Sequence, residues 1–119
     1  MNMKAVEGIL IDYSIAVEDR DICDKKIESE IRSLKRIARD IVETESNSYS
    51  AYHSDVFNIA SIASDLGMYA KIRAEHDSKA STIIRIVRCL GDDKLLAALA
   101  KIDNGEYIGK VFDEYNQND

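Results

Sequence analysis

Apolar positions recur at helical spacing from the first residues onward. Val6, Leu10, Tyr13 and Val17 step by 4, 3 and 4, which puts them on one face of a helix. This predicts a helix over residues 3–18, weakened locally by Gly8. Glu18-Asp19-Arg20-Asp21 is all charged and has nothing to bury, so it reads as a tight turn, with Asp19 or Asp21 placed to cap the next helix. From 22 to 45, Ile27, Ile31, Leu34, Ala38 and Ile41 step by 4, 3, 4 and 3, a two-heptad seam. A short turn between two such helices predicts an N-terminal antiparallel helical hairpin.

Ser46-Asn47-Ser48-Tyr49-Ser50 then breaks the pattern, because small polar side chains compete for backbone hydrogen bonds. A helix over 54–66 comes next, with Val56, Ile59, Ala60, Ala63 and Leu66 inward and Gly67 at its end. Tyr69, Ile72, His76, Ala80, Ile83, Val87 and Leu90 fit one long central helix over 68–90, with a break near Asp77-Ser78 as the competing reading. Gly91 ends it and Asp92 caps a short helix to Ile102, with Leu95, Leu96 and Leu99 inward. Asp103-Asn104-Gly105 signals a turn. A last helix over 106–115 carries Tyr107, Ile108, Val111, Phe112 and Tyr115, and residues 116–119 should fray. No stretch alternates with period two. The expected fold is all-α: one compact domain over 1–119, a bundle of five to six helices with the hairpin of 3–45 packed on the long helix.

Composition agrees with this picture. The chain has 119 residues, no proline and no tryptophan, and only five glycines. Its length suits one domain able to fold without disulfide or metal staples. With 45% apolar residues and a net charge of −6, it is not a disordered composition.

The charge is striped. Residues 25–39 carry +4 and 66–91 carry +3, whereas 1–24, 40–65 and 92–119 carry −4, −5 and −4. Acidic helices packed beside basic ones account for this, and such pairs stabilise little. The functional reading is a basic patch of Lys25, Arg32, Lys35, Arg36 and Arg39, with Lys26 nearby, facing phosphate or an acidic partner.

Cys23 and Cys89 lack metal-ligand spacing and do not make a secreted framework. They read as buried or half-buried thiols in a reducing compartment. Without a signal-peptide pattern or an apolar run of spanning length, the expectation is a cytoplasmic protein with no membrane association.

Chemistry finds little support. His53 and His76 have no second ligand at turn spacing. Glycine-rich phosphate loops and nucleophile elbows do not occur. The expectation is therefore a non-enzyme without metal or cofactor; a helical hydrolase using His53 or His76 is the dissenting reading. A helix-turn-helix over 54–75 would put Gly67 in the turn and Tyr69, Lys71 and Arg73 on the second helix, but the acidic surroundings oppose it. Tyr49, Tyr52 and His53 cluster at a helix entrance, where large rings with polar tips can form a contact surface or a staple over the helix end.

Tyr52-His53-Ser54-Asp55-Val56-Phe57-Asn58-Ile59-Ala60-Ser61 resembles a pattern in small helical phage proteins, including the acidic antirestriction mimics of DNA. The likeness covers about ten residues of mostly helix-compatible types. The dense acidic surface and acidic tail of that family do not occur here. The resemblance implies an inhibitor of a host defence machine.

Together these readings favour docking onto a protein partner, as regulator, inhibitor or assembly subunit. The partner-binding candidates are Tyr49, Tyr52, His53, Lys25, Arg32, Lys35, Arg36 and Arg39. A homodimer through the seam of 27–41 is a further expectation, and a nucleic-acid-associated subunit using its basic helix faces is the alternative.

Overall fold

The computed structural model describes residues 2–43 and 49–117, without the side chains of 43 and 49–53. Four helices occur among the described residues and no strands: α1 (Met3–Glu43), α2 (Tyr49–Leu90), α3 (Asp93–Asp103) and α4 (Ile108–Gln117). The all-helical reading holds, but the count of five to six does not. The expected turn at Glu18–Asp21 is helix, so 3–18 and 22–43 form one 41-residue helix rather than a hairpin. Glu18 and Arg20 are good helix formers, and the two aspartates cost only tenths of a kcal/mol each (about 0.7 at most), so the helix continues where no glycine or proline interrupts it. Gly67 likewise lies inside α2, joining the two helices expected over 54–66 and 68–90 and removing the break near Asp77. A single interior glycine weakens a helix without ending it. The helix-turn-helix reading falls with it. The core of the Ser46–Ser50 break lies outside the described residues; Tyr49 and Ser50 already belong to α2. Asn116 and Gln117, expected to fray, are the last residues of α4.

The chain divides into two compact units. Unit 1 comprises Met1–Asp21 and Ala74–Asp119, and unit 2 comprises Ile22–Arg73.

Unit 1 has a continuous apolar core. Val6, Leu10, Tyr13, Ala16 and Val17 of α1 meet Ala80 and Val87 of α2, Leu95, Ala98, Leu99 and Ile102 of α3, and Val111 of α4. Ile83, Leu96, Ile108, Phe112 and Tyr115 pack around it. Two expected inward residues stand outside: Tyr107, which precedes α4, and Leu90, at the end of α2, are both exposed. Gly91 ends α2 at φ +71, a conformation open to glycine at no steric cost. Asp92 Oδ1 then accepts from the Leu95 N–H at 2.9 Å, the N-cap of α3. Its other oxygen accepts from the Tyr115 hydroxyl at 3.3 Å, so one carboxylate ties α3 to α4. At the far end of α3, Gly105 N–H donates to the Ile102 carbonyl and Glu106 N–H to that of Lys101, a Schellman closure.

Unit 2 is a pair of antiparallel helical segments, 22–43 of α1 and 49–73 of α2. Arg73 Nε donates to Asp24 Oδ1 at 2.6 Å, and Lys26 Nζ lies 5.3 Å from the centre of the Tyr69 ring. The seam of α1 runs through Cys23, Ile27, Glu30, Leu34, Ile37 and Ile41. Ile31 and Ala38, expected on it, are exposed, because the register favours Ile37 and shifts them to the flank. On α2 the seam is Asp55, Ile59, Ile62, Leu66, Tyr69 and Arg73, while Val56, Ala60 and Ala63 are exposed. Among the described residues of unit 2 only Cys23 is fully buried.

Candidate functional site

In unit 1 a polar cluster joins three helices. Arg20 donates to Asp77 Oδ1 at 3.2 Å, and its guanidinium also lies 3.8 Å from Asp103 and 3.7 Å from Asp21. Tyr13, buried, donates its hydroxyl to Asp103 Oδ2 at 2.7 Å. Burial, then the hydrogen bond to this carboxylate, pushes the Tyr13 phenol well above the usual tyrosine range. A phenol held neutral is a donor and no base, which suits a clamp on the end of α3. His76 is half-buried, its Nε2 3.9 Å from Asp19 Oδ2, a boundary residue of the kind its seam position predicts. Among the described residues no three His, Cys, Asp or Glu side chains converge as metal ligands.

The thiols are both free, Cys23 buried and Cys89 exposed. The expectation of two buried or half-buried thiols therefore fails at Cys89. Val87 faces the core, and a residue two places further points some 200° around the helix from it. A shallow groove in unit 1, about 190 Å³, is lined by Leu10, Ile11, Ile108 and Phe112, with Glu7 at the rim and Tyr107 over Gly109. It is smaller than the ~300 Å³ of an ordinary small-molecule pocket and holds a single carboxylate.

Unit 2 offers more. Lys25, Arg32, Lys35, Arg36 and Arg39 are all exposed on α1. At 100° per residue, Lys25, Arg32, Arg36 and Arg39 form one stripe opposite the seam, with Lys35 at its edge. Among the described residues none of the five has an ion-pair partner. Lys26, the sixth cation of that run, is directed to Tyr69. The remaining candidates, Tyr49, Tyr52 and His53, begin α2, and their side chains lie outside the described residues.

The outward face of α2 was not foreseen. Phe57 is 70% exposed, Met68 50% and Val56 43%. From 54 to 70 every exposed residue is apolar, small or neutral; the only charged groups, Asp55 and Asp65, are half-buried. A signal for this was available in the sequence: 17 residues with two charges, in a chain that is 32% charged. Unit 2 therefore has a basic outer face on α1 and, over 54–70 of α2, an outer face without charge that ends at the exposed Lys71. Searches of known protein families, curated proteins and solved structures find no match to the chain. No described helix is long and apolar enough to cross a membrane.

Proposed function

We propose that this protein is a non-enzymatic docking module that binds a protein partner through unit 2, as a regulator, an inhibitor or an assembly subunit. One observation carries the reading. Unit 2 fully buries only Cys23 among its described residues, while Ile22, Ile31, Val56, Phe57 and Met68 stay exposed. Phe57 and Met68, eleven residues apart and so on one face of α2, are exposed large apolar side chains of the kind that marks an interaction surface. The test is capture by the tagged full chain from a nuclease-treated native lysate, beside a Phe57→Glu/Met68→Glu variant with unchanged far-UV circular dichroism. A protein retained by the parent chain and lost from the variant is the expected result. Equal recovery by both contradicts the assignment to unit 2.

A nucleic-acid-associated subunit is the second reading, and the exposed cations of α1 favour it. It requires binding of a labelled single strand that weakens steeply with salt and disappears in Lys35→Glu/Arg39→Glu. Absence of binding at low salt removes it.

A further inference from the structure

Unit 2 has a second open surface, on one side of the helix pair and apart from Phe57 and Met68, which lie round the back of α2. Both seams alternate by three and four residues, so their positions follow a heptad, with a and d facing the neighbouring helix and e and g flanking them. Ile27, Leu34 and Ile41 of α1 and Ile59, Leu66 and Arg73 of α2 take position a. Two antiparallel helices bring e beside e along one side and g beside g along the other. Lys26, at g, lies over the Tyr69 ring on the g side.

The two sides differ. The g positions are Lys26, Ser33 and Asp40 on α1 and Asn58, Asp65 and Ile72 on α2, polar except for Ile72. On the other side Asp24, at e, closes one end by pairing with Arg73. Beyond that pair the e positions are Ile31 and Ala38 of α1 and Val56, Ala63 and Ala70 of α2, all apolar and all exposed. Val42, next to them at the far end of the strip, is 83% exposed. Positions flanking a two-helix seam commonly carry charge. An apolar stripe widened from a and d onto e is the pattern of a helix that packs against more than one neighbour. The strip runs about 20 Å, the length of roughly 14 helical residues.

Charge names the occupant. On the α1 edge, between Ile31 and Val42, stand Arg32, Lys35 and Arg39, exposed and without an ion-pair partner among the described residues. Glu28 lies on this edge too, at the Asp24 end. The α2 edge presents Ala60 and Gly67 and has no charge before Lys71. We infer that this side of unit 2 takes an amphipathic helix of a protein partner, with its apolar face on the strip and acidic residues along the edge beside α1. Such a helix buries Ile31, Val42 and Val56 and sets its carboxylates against unpaired cations, whereas a basic edge is repelled.

Selection of a displayed library of helical peptides of about 20 residues, apolar at a and d and randomised elsewhere, on the immobilised full chain tests the inference. Recovered peptides should carry Asp or Glu along one edge. Their binding should weaken about tenfold or more with Val56→Glu and with Val42→Glu, two exposed positions whose variants keep the far-UV circular dichroism of the parent. Lys35→Glu/Arg39→Glu should turn the selected edge to Lys and Arg. Phe57→Glu, one residue on but round the back of α2, should leave binding unchanged. Several outcomes overturn the inference: no enrichment over the Val56→Glu chain, recovered edges indifferent to the reversal of Lys35 and Arg39, or binding lost with Phe57→Glu and kept with Val56→Glu. A parent dimer in sedimentation equilibrium that Val56→Glu dissolves also overturns it, since a second copy then covers the strip.

Discussion

Residues 3–21 and 22–43 belong to one helix and carry apolar side chains at the same alternating spacing of three and four, yet they end in different surroundings. In unit 1 the stripe is met by α2, α3 and α4, and Val6, Leu10, Tyr13, Ala16 and Val17 leave the solvent almost completely. In unit 2 a single helical segment meets it, and Ile27, Leu34, Ile37 and Ile41 remain half-buried. A helix pair can shield only one side of each seam, whereas a bundle closes around it. Periodicity identifies the face that packs; the number of neighbours sets the depth. The difference separates a part that closes its own core from a part that leaves its seam half-open.

The largest expected effect contrasts the two cores. Leu99→Ala should cost about 3 kcal/mol by urea denaturation, from lost transfer energy plus a cavity. Leu34→Ala, half-buried in unit 2, should cost about 1 kcal/mol. Equal costs would break the comparison. Next comes the clamp on α3: Tyr13→Phe should cost about 1.5 kcal/mol, the worth of a hydrogen bond to a charged group. Because the folded phenol titrates above its unfolded value, its contribution is complete below pH ~10 and is lost as pH rises beyond that. Tyr13→Phe should therefore flatten the alkaline fall in stability.

Substitutions worth about 1 kcal/mol sharpen the contrast. Asp92→Ala should destabilise by roughly that much through loss of the α3 cap. Gly67→Ala should raise the thermal stability of the chain, by up to ~1 kcal/mol, since a Cβ there meets nothing and only helix propensity changes. The smallest effect is at Glu114, whose carboxyl is held below the usual glutamate range by the hydrogen bond from Lys101 at 2.6 Å. Its stabilising share should be lost as pH falls through that depressed value. Titration followed by NMR should show this, and Lys101→Met should return the carboxyl to the ordinary range.

Much of unit 1 was legible. Val6, Leu10, Tyr13, Val17, Leu95 and Leu99 were expected inward and are buried, and Asp92 was expected as a cap and is one. These features rest on local spacing and local hydrogen bonds, which a sequence states directly. The continuity of the two long helices was less legible. Glu18–Asp21 reads as a turn only if charges are assumed to need solvent, but Asp19 and Arg20 meet His76 and Asp77 of α2. The unbroken spacing of Tyr13, Val17, Arg20, Asp24 and Ile27 was the available sign. In the candidate site, the five cations of α1 were recognisable because charge predicts exposure. On α2, Val56, Ala60 and Ala63 were expected inward and are exposed, and Gly67 was expected at a helix end and lies inside one, because apolar residues read as core and glycine as a stop until the tertiary structure decides.

The most direct test is amide hydrogen exchange of the full chain. Amides of 80–102 should be strongly protected, and those of 54–70 should exchange markedly faster, because a single helical segment covers their seam. Protection of 54–70 equal to that of 80–102 would contradict the account.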